Sequence, residues 1–121
     1  MTKDPNAKPY DLEERTFQFA KRCRKFLKRL PRTVASIEDG RQLIRSSGSV
    51  AANYIEANES VSRKDFALRI KIARKEAKES YLWVRLCEVN DDTLRQEQQL
   101  LLTEALELGK IFGSIREKVK S

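Results

Sequence analysis

The sequence predicts an all-α protein, an antiparallel up-down-up-down four-helix bundle. Three observations lead there. Apolar residues recur at steps of three and four along most of the chain, only four Gly and three Pro interrupt its 121 residues, and the breaks between periodic stretches are short. A sandwich or barrel needs a turn about every 8 to 12 residues, and the turn material for one is missing. Helices joined by short loops become antiparallel neighbours. The length is that of one domain, so residues 12–121 read as the bundle. Residues 1–11 (MTKDPNAKPYD), with two prolines and no apolar period, read as a tether.

The first helix starts at Leu12. Leu12, Thr16, Phe19, Cys23, Phe26 and Leu30 step by four and three, which keeps one helix face buried, and Pro31 stops it. The second runs from about Val34 to Asn58 and is expected to turn Ile37, Ile44, Gly48, Ala51 and Ile55 inward, with an unusually small centre from Ser46 to Ala52. Ser62 followed by Asp65 resembles a capping box, so the third helix starts near Arg63. Phe66, Ile70, Ala73, Ala77, Tyr81, Val84 and Cys87 mark its inner face, and Asn90-Asp91-Asp92 ends it. The fourth opens at Thr93 and carries the clearest seam: Leu94, Gln98, Leu101, Ala105, Leu108, Phe112, Ile115 and Val119.

Chemistry is bounded mostly by what is missing. There is no His, which excludes Ser-His-Asp triads, zinc proteases and di-iron bundles, and two Cys are too few for a structural zinc site. No nucleotide-cradling Gly-rich motif is present. No catalytic residue, metal, cofactor or small-molecule substrate is therefore expected. Cys23 and Cys87 fall on inward positions and read as small core hydrophobes. Without an apolar run long enough for a membrane span, a soluble cytoplasmic protein with reduced thiols is expected. Gly109 and Gly113, four apart, point to close helix approach or a fraying end.

Some faces are not needed for the core. On the third helix Leu68, Ile72, Trp83 and Leu86 form a second apolar stripe directed away from it, and Leu43, Val50 and Tyr54 are read as the outward stripe of the second helix. Clustered Trp, Tyr, Leu and Ile have the composition of an interface, so self-association is expected, the alternative being ordinary exposed hydrophobes. Arg45, Ser49, Asn53 and Glu56 line a flank of the second helix as a polar network that fixes register, with Arg45, Arg69 or Arg74 supplying partners.

Charge is polarised. Lys and Arg number 25 against 18 Asp and Glu, a net +7. Lys21, Lys25, Lys28 and Arg32 step along the outer face of the first helix, with Arg22, Arg24 and Arg29 beside them. Lys64, Lys71, Lys75 and Lys78 form a second row on the third, whereas the fourth is net acidic from Thr93 to Leu108. Such rows suit RNA or another polyanion. With no aromatic among the outward basic residues of the first helix, contact is expected with the backbone and not the bases. The alternatives are a solvated face, or a protein-interaction module whose acidic partner docks on the same rows.

Residues Gln42 to Glu56 (QLIRSSGSVAANYIE), then Ser62 to Phe66 and Ala73 to Glu79, resemble the four-helix-bundle proteins encoded within intervening sequences of bacterial large-subunit ribosomal RNA genes. The family pattern is similar to Ser-x-x-x-Asn-Ile-x-Glu-Gly followed by Phe-x-x-x-Leu-x-x-Ala. Ser49, Asn53 and Glu56 fit it. Ile55 stands one place late, Ala57 replaces Gly, and Ile70 stands for Leu. The resemblance implies a bundle that assembles into a ring-shaped homopentamer, with no established enzymatic activity. It also implies a fold similar to the accessory protein of diversity-generating retroelements, a basic pentamer that binds nucleic acid and a reverse transcriptase.

Overall fold

The computed structural model describes residues 11–120 and contains four α-helices: α1 Leu12–Lys28, α2 Val34–Asn58, α3 Arg63–Leu86 and α4 Asp92–Lys120. Side chains close to each start meet the orphan amides of the first turn. Asp11 accepts from the Glu14 N–H, Thr33 and Ser36 form a reciprocal capping box, Ser62 accepts from the Asp65 N–H, and Asp91 accepts from the Leu94 N–H at 2.7 Å. Asp11 is thus the cap of α1; the rest of the expected tether lies outside the described residues.

The third helix stops at Leu86, earlier than its Asn90-Asp91-Asp92 breaker implies, because Cys87 leaves with extended backbone. Carbonyls at that end are met by α4: the Gln98 amide donates to the Val84 oxygen at 3.0 Å, which also accepts the Cys87 N–H, and to the Cys87 oxygen at 2.8 Å. That explains a buried glutamine in an otherwise apolar seam, since a buried amide without partners costs about 1–3 kcal/mol. The α4 helix itself begins one residue before Thr93.

Each helix packs on the next and α4 packs on α1, whereas α1 and α3, like α2 and α4, lie diagonally without backbone contact. This is the adjacency of an up-down-up-down bundle. The expected faces of α1, α3 and α4 form its centre: Phe19, Cys23 and Phe26 meet Ile70, Ala73, Ala77 and Val84, and Leu94, Leu101, Leu108 and Phe112 close it.

The second helix is rotated relative to the sequence expectation. Leu43 and Val50, read as outward, are fully buried, and Tyr54 is half-buried with its ring centroid 5.9 Å from that of Phe112. Ile37, Ile44 and Ile55, read as inward, are exposed. The seam in use is Gly40, Leu43, Ser47, Val50, Tyr54 and Ala57, again steps of three and four. Its small residues decide the matter. A Cβ at Gly40 would lie 3.3 Å from a Leu27 methyl, and the Ser46 and Ser80 hydroxyls bond at 2.8 Å in the α2–α3 contact. Isoleucines on that side would hold α2 away from both neighbours.

Candidate nucleic-acid interface

Ion pairs across the bundle are made by arginines. Arg15 pairs with Glu104 at 2.7 Å, Arg22 with Glu97 at 3.3 Å and Arg29 with Asp91 at 4.0 Å along the α1–α4 seam. Arg22 and Arg29, named above with the polyanion-binding set, are thus engaged by α4. The signal was in the sequence: Arg15, Arg22 and Arg29 are seven apart, as are Glu97 and Glu104, and antiparallel heptads meet in register. Arg24 lies against α2, donating to the Ala20 and Ile44 carbonyls.

The lysines are left in solvent. Lys21, Lys25 and Lys28 are exposed along α1, Arg32 is exposed in the loop after it because the helix ends at Lys28, and Lys64, Lys71, Lys75 and Lys78 are exposed along α3. Among the described residues none of these eight has an acidic partner. Because α1 and α3 are diagonal, the two rows occupy opposite corners and do not merge into one surface of a single chain. The α1 row does have an aromatic beside it, contrary to the sequence expectation. Phe17 is half-exposed, and the Lys21 ammonium lies 5.8 Å from its ring centroid, within cation–π range. Phe17 falls between the basic face and the α2 flank, where a helical count centred on the seam does not look.

The stripe expected for self-association is partly used inside the chain. Leu68 and Leu86 are exposed, but Ile72 and Trp83 are half-buried, and Trp83 packs against the core with its indole N–H buried and without an acceptor among the described residues. Leu82, missed by the sequence reading, is exposed with Leu68 and Leu86. On α2 the exposed apolar residues are Ile37, Ile44 and Ile55, not Leu43 and Val50.

Three members of the polar column find partners. The Asn53 amide donates to the Ser49 carbonyl at 2.9 Å and hydroxyl at 3.0 Å, and Arg69 donates to the Asn53 oxygen at 3.2 Å. Arg45 reaches Glu79 at 3.1 Å and the buried Glu76 at 3.5 Å. Glu56 does not join them; it is exposed, and no ion-pair partner for it is present among the described residues. Its position faces α3 less than a flank count suggests, because the whole helix is rotated. Burial pushes the Cys23 thiol up to about 12 and the Cys87 thiol up to about 11, so both are protonated, inert core groups at neutral pH. Among the described residues no three His, Cys, Asp or Glu gather to hold a metal, and no helix is long and apolar enough to cross a membrane.

A closed antiparallel bundle, with arginine ion pairs along its helix contacts and rows of exposed lysines on α1 and α3, is the class of protein this geometry defines. The chain belongs to the 23S rRNA-intervening sequence protein family, whose model matches residues 9–114. A solved structure from Bacteroides thetaiotaomicron, described as a protein with unknown function from the S23 ribosomal protein family, is 31% identical. It covers 86% of this chain and 96% of its own, with a TM-score of 0.71. No curated protein compared with the chain matches it significantly.

Proposed function

We propose that this protein is a non-enzymatic, homo-oligomeric helical scaffold of the reducing cytoplasm that binds RNA or a similar polyanion through its exposed lysine rows. One observation carries the reading: among the described residues ion pairs are made by arginines, while Lys21, Lys25, Lys28, Lys71, Lys75 and Lys78 stand exposed without an acidic partner. Like charges at helical spacings of three and four disfavour a helix by about 0.2–0.5 kcal/mol per pair. Such a row contributes nothing to the fold and is relieved by a bound anion. Exposed Ile37, Ile44 and Ile55, with Leu68, Leu82 and Leu86, supply apolar surface for copies of the chain to associate, as in the homopentamer the resemblance implies.

The test is a salt-titrated shift assay with RNAs of increasing length. For single strands affinity should fall by about 0.7 log units per log unit of salt for each phosphate contacted. Reversing Lys21, Lys25 and Lys28 to Glu should lower it steeply with unchanged helicity, and a parent that binds no RNA at low salt ends the reading. Light scattering on a sizing column checks assembly; a monomer mass at micromolar concentration removes the oligomeric part.

A further inference from the structure

Along the outer side of the α3–α4 contact runs an open groove of about 890 Å³ whose lining includes Arg74, Lys78, Tyr81, Gly109, Lys110 and Gly113, with Glu117 the carboxylate among the lining residues. Its walls bring cations from both helices, and Arg74, Lys78 and Lys110 have no acidic partner among the described residues. Two glycines shape the floor in different ways. At Gly113 a Cβ would stand 3.5 Å from the Arg74 Nε and 3.8 Å from its Cζ, ordinary contact distances, so the guanidinium lies over this position with room for a methyl beneath it. At Gly109 a Cβ would meet nothing within 4 Å. Packing inside the chain does not require a glycine there, and the helix gives up about 1 kcal/mol of propensity relative to Ala to have one. What the missing side chain leaves is free access to the floor.

We infer that this groove is a binding site for single-stranded RNA, with a base laid on the floor beside Tyr81 and the Arg74 guanidinium and its flanking phosphates held by Lys78 and Lys110. The inference rests on the polyanion reading above and adds to it a strand type and a place. Single strands offer bases with free faces, and those faces stack on aromatic rings and on guanidinium planes. A duplex keeps its bases stacked on one another and offers only phosphate and sugar to such a groove. An acidic helix from a protein partner would answer the same cations, but flat polar-edged surfaces and bare backbone favour a planar guest over interdigitating side chains.

The experiment uses the full chain, a 4-thiouridine-labelled oligouridine and an RNA duplex of equal length. Photocrosslinks to the oligouridine should fall on peptides containing Tyr81 and residues 105–118. Gly109→Leu, which fills the floor without altering charge and should raise the melting temperature, should weaken single-strand binding by about 5- to 150-fold, the range for one lost stacked base, and leave duplex binding unchanged. Lys78→Gln with Lys110→Gln should flatten the salt slope for the single strand by about 1.4, two contacts at 0.7 each. Crosslinks confined to α1, or full affinity in Gly109→Leu, overturn the groove while leaving the polyanion reading in place. So does an acidic helical peptide whose binding depends on Gly109 when that of RNA does not. Absence of RNA binding by the parent protein overturns both.

Discussion

Arg15 holds Glu104 in a bidentate grip, Nε to one carboxylate oxygen at 2.7 Å and Nη2 to the other at 2.9 Å, and so ties the first turn of α1 to the middle of α4. The hydrogen bonds with Glu104 keep the Arg15 guanidinium above its ordinary pKa. Seven residues on, Arg22 meets Glu97, and Arg29 approaches Asp91 at 4.0 Å. The seam that closes the bundle is therefore laced by charge. A double-mutant cycle on Arg15→Ala and Glu104→Ala, read by urea unfolding, should give a coupling of about 1 kcal/mol that shrinks in high salt, because the pair is partly exposed. Arg15→Lys should recover only part of it, an ammonium being unable to bridge both oxygens.

The rotation of α2 makes a sharp contrast between neighbours. Leu43→Ala should destabilise the chain by about 2–5 kcal/mol, the cost of a cavity around a fully buried leucine. Ile44→Ala, next in sequence but exposed, should change unfolding of the isolated chain by well under 1 kcal/mol. Equal effects in thermal melts would contradict the burial.

Glu76 is buried beside an exposed Arg45, and one of its carboxylate oxygens lacks a hydrogen bond. Glu76→Met should be neutral or stabilising, since apolar replacements of buried charges often are, whereas Arg45→Ala, which takes away the cation beside the buried carboxylate, should cost about 1–3 kcal/mol, less than a fully buried pair because Arg45 is itself half-exposed. Glu56→Ala should melt like the parent. Calorimetry on the three variants checks all of these.

Thiol titration follows from burial. A folded pKa of about 12 for Cys23 and about 11 for Cys87 lies above the ordinary thiol value of 9.0. The unfolded thiols lose protons first as pH rises, so this contribution to stability is complete below about pH 9 and declines from there toward pH 11–12. Cys23→Ala should show a flatter alkaline decline than the parent. In the native parent at pH 8, a maleimide should label Cys23 only after denaturant is added.

Phe17→Ala should leave the melting temperature almost unchanged, because the ring is half-exposed. If the α1 row carries RNA as proposed, the same change should weaken single strands by a few-fold through loss of a stacking face next to Lys21. Fluorescence anisotropy with matched single and double strands separates the two effects.

Periodicity was a reliable guide wherever one face of a helix was plainly more apolar than the others. The seams of α1 and α4 could be read residue by residue, down to Thr16 and Gln98. The second helix offered two seams with the same three-and-four step, one of isoleucines and one containing Gly40, Ser47 and Ala57. Hydrophobicity alone chooses the isoleucines; the close approach of α2 to Leu27 and Ser80 chooses the small residues, and that approach belongs to tertiary packing. The basic rows were legible as charge. That Arg22 and Arg29 pair with acidic groups while Lys21, Lys25 and Lys28 do not required knowing which flank of α1 meets the acidic half of α4. The groove was visible in sequence only as Gly109 and Gly113 four apart, because its cationic walls are assembled from two helices.

The diagonal placement of α1 and α3 determines a valency. In an up-down-up-down bundle these two helices run in the same direction, so their lysine rows are parallel tracks on opposite corners with the whole core between them. One stretch of polymer following one track cannot touch the other. A chain with both tracks occupied would join two separate segments and hold them a fixed bundle's width apart, acting as a crosslink and not as a coat. Compaction or network formation of long RNA at substoichiometric protein, reversed by excess protein as each track fills independently, is the behaviour of such a two-sided linker.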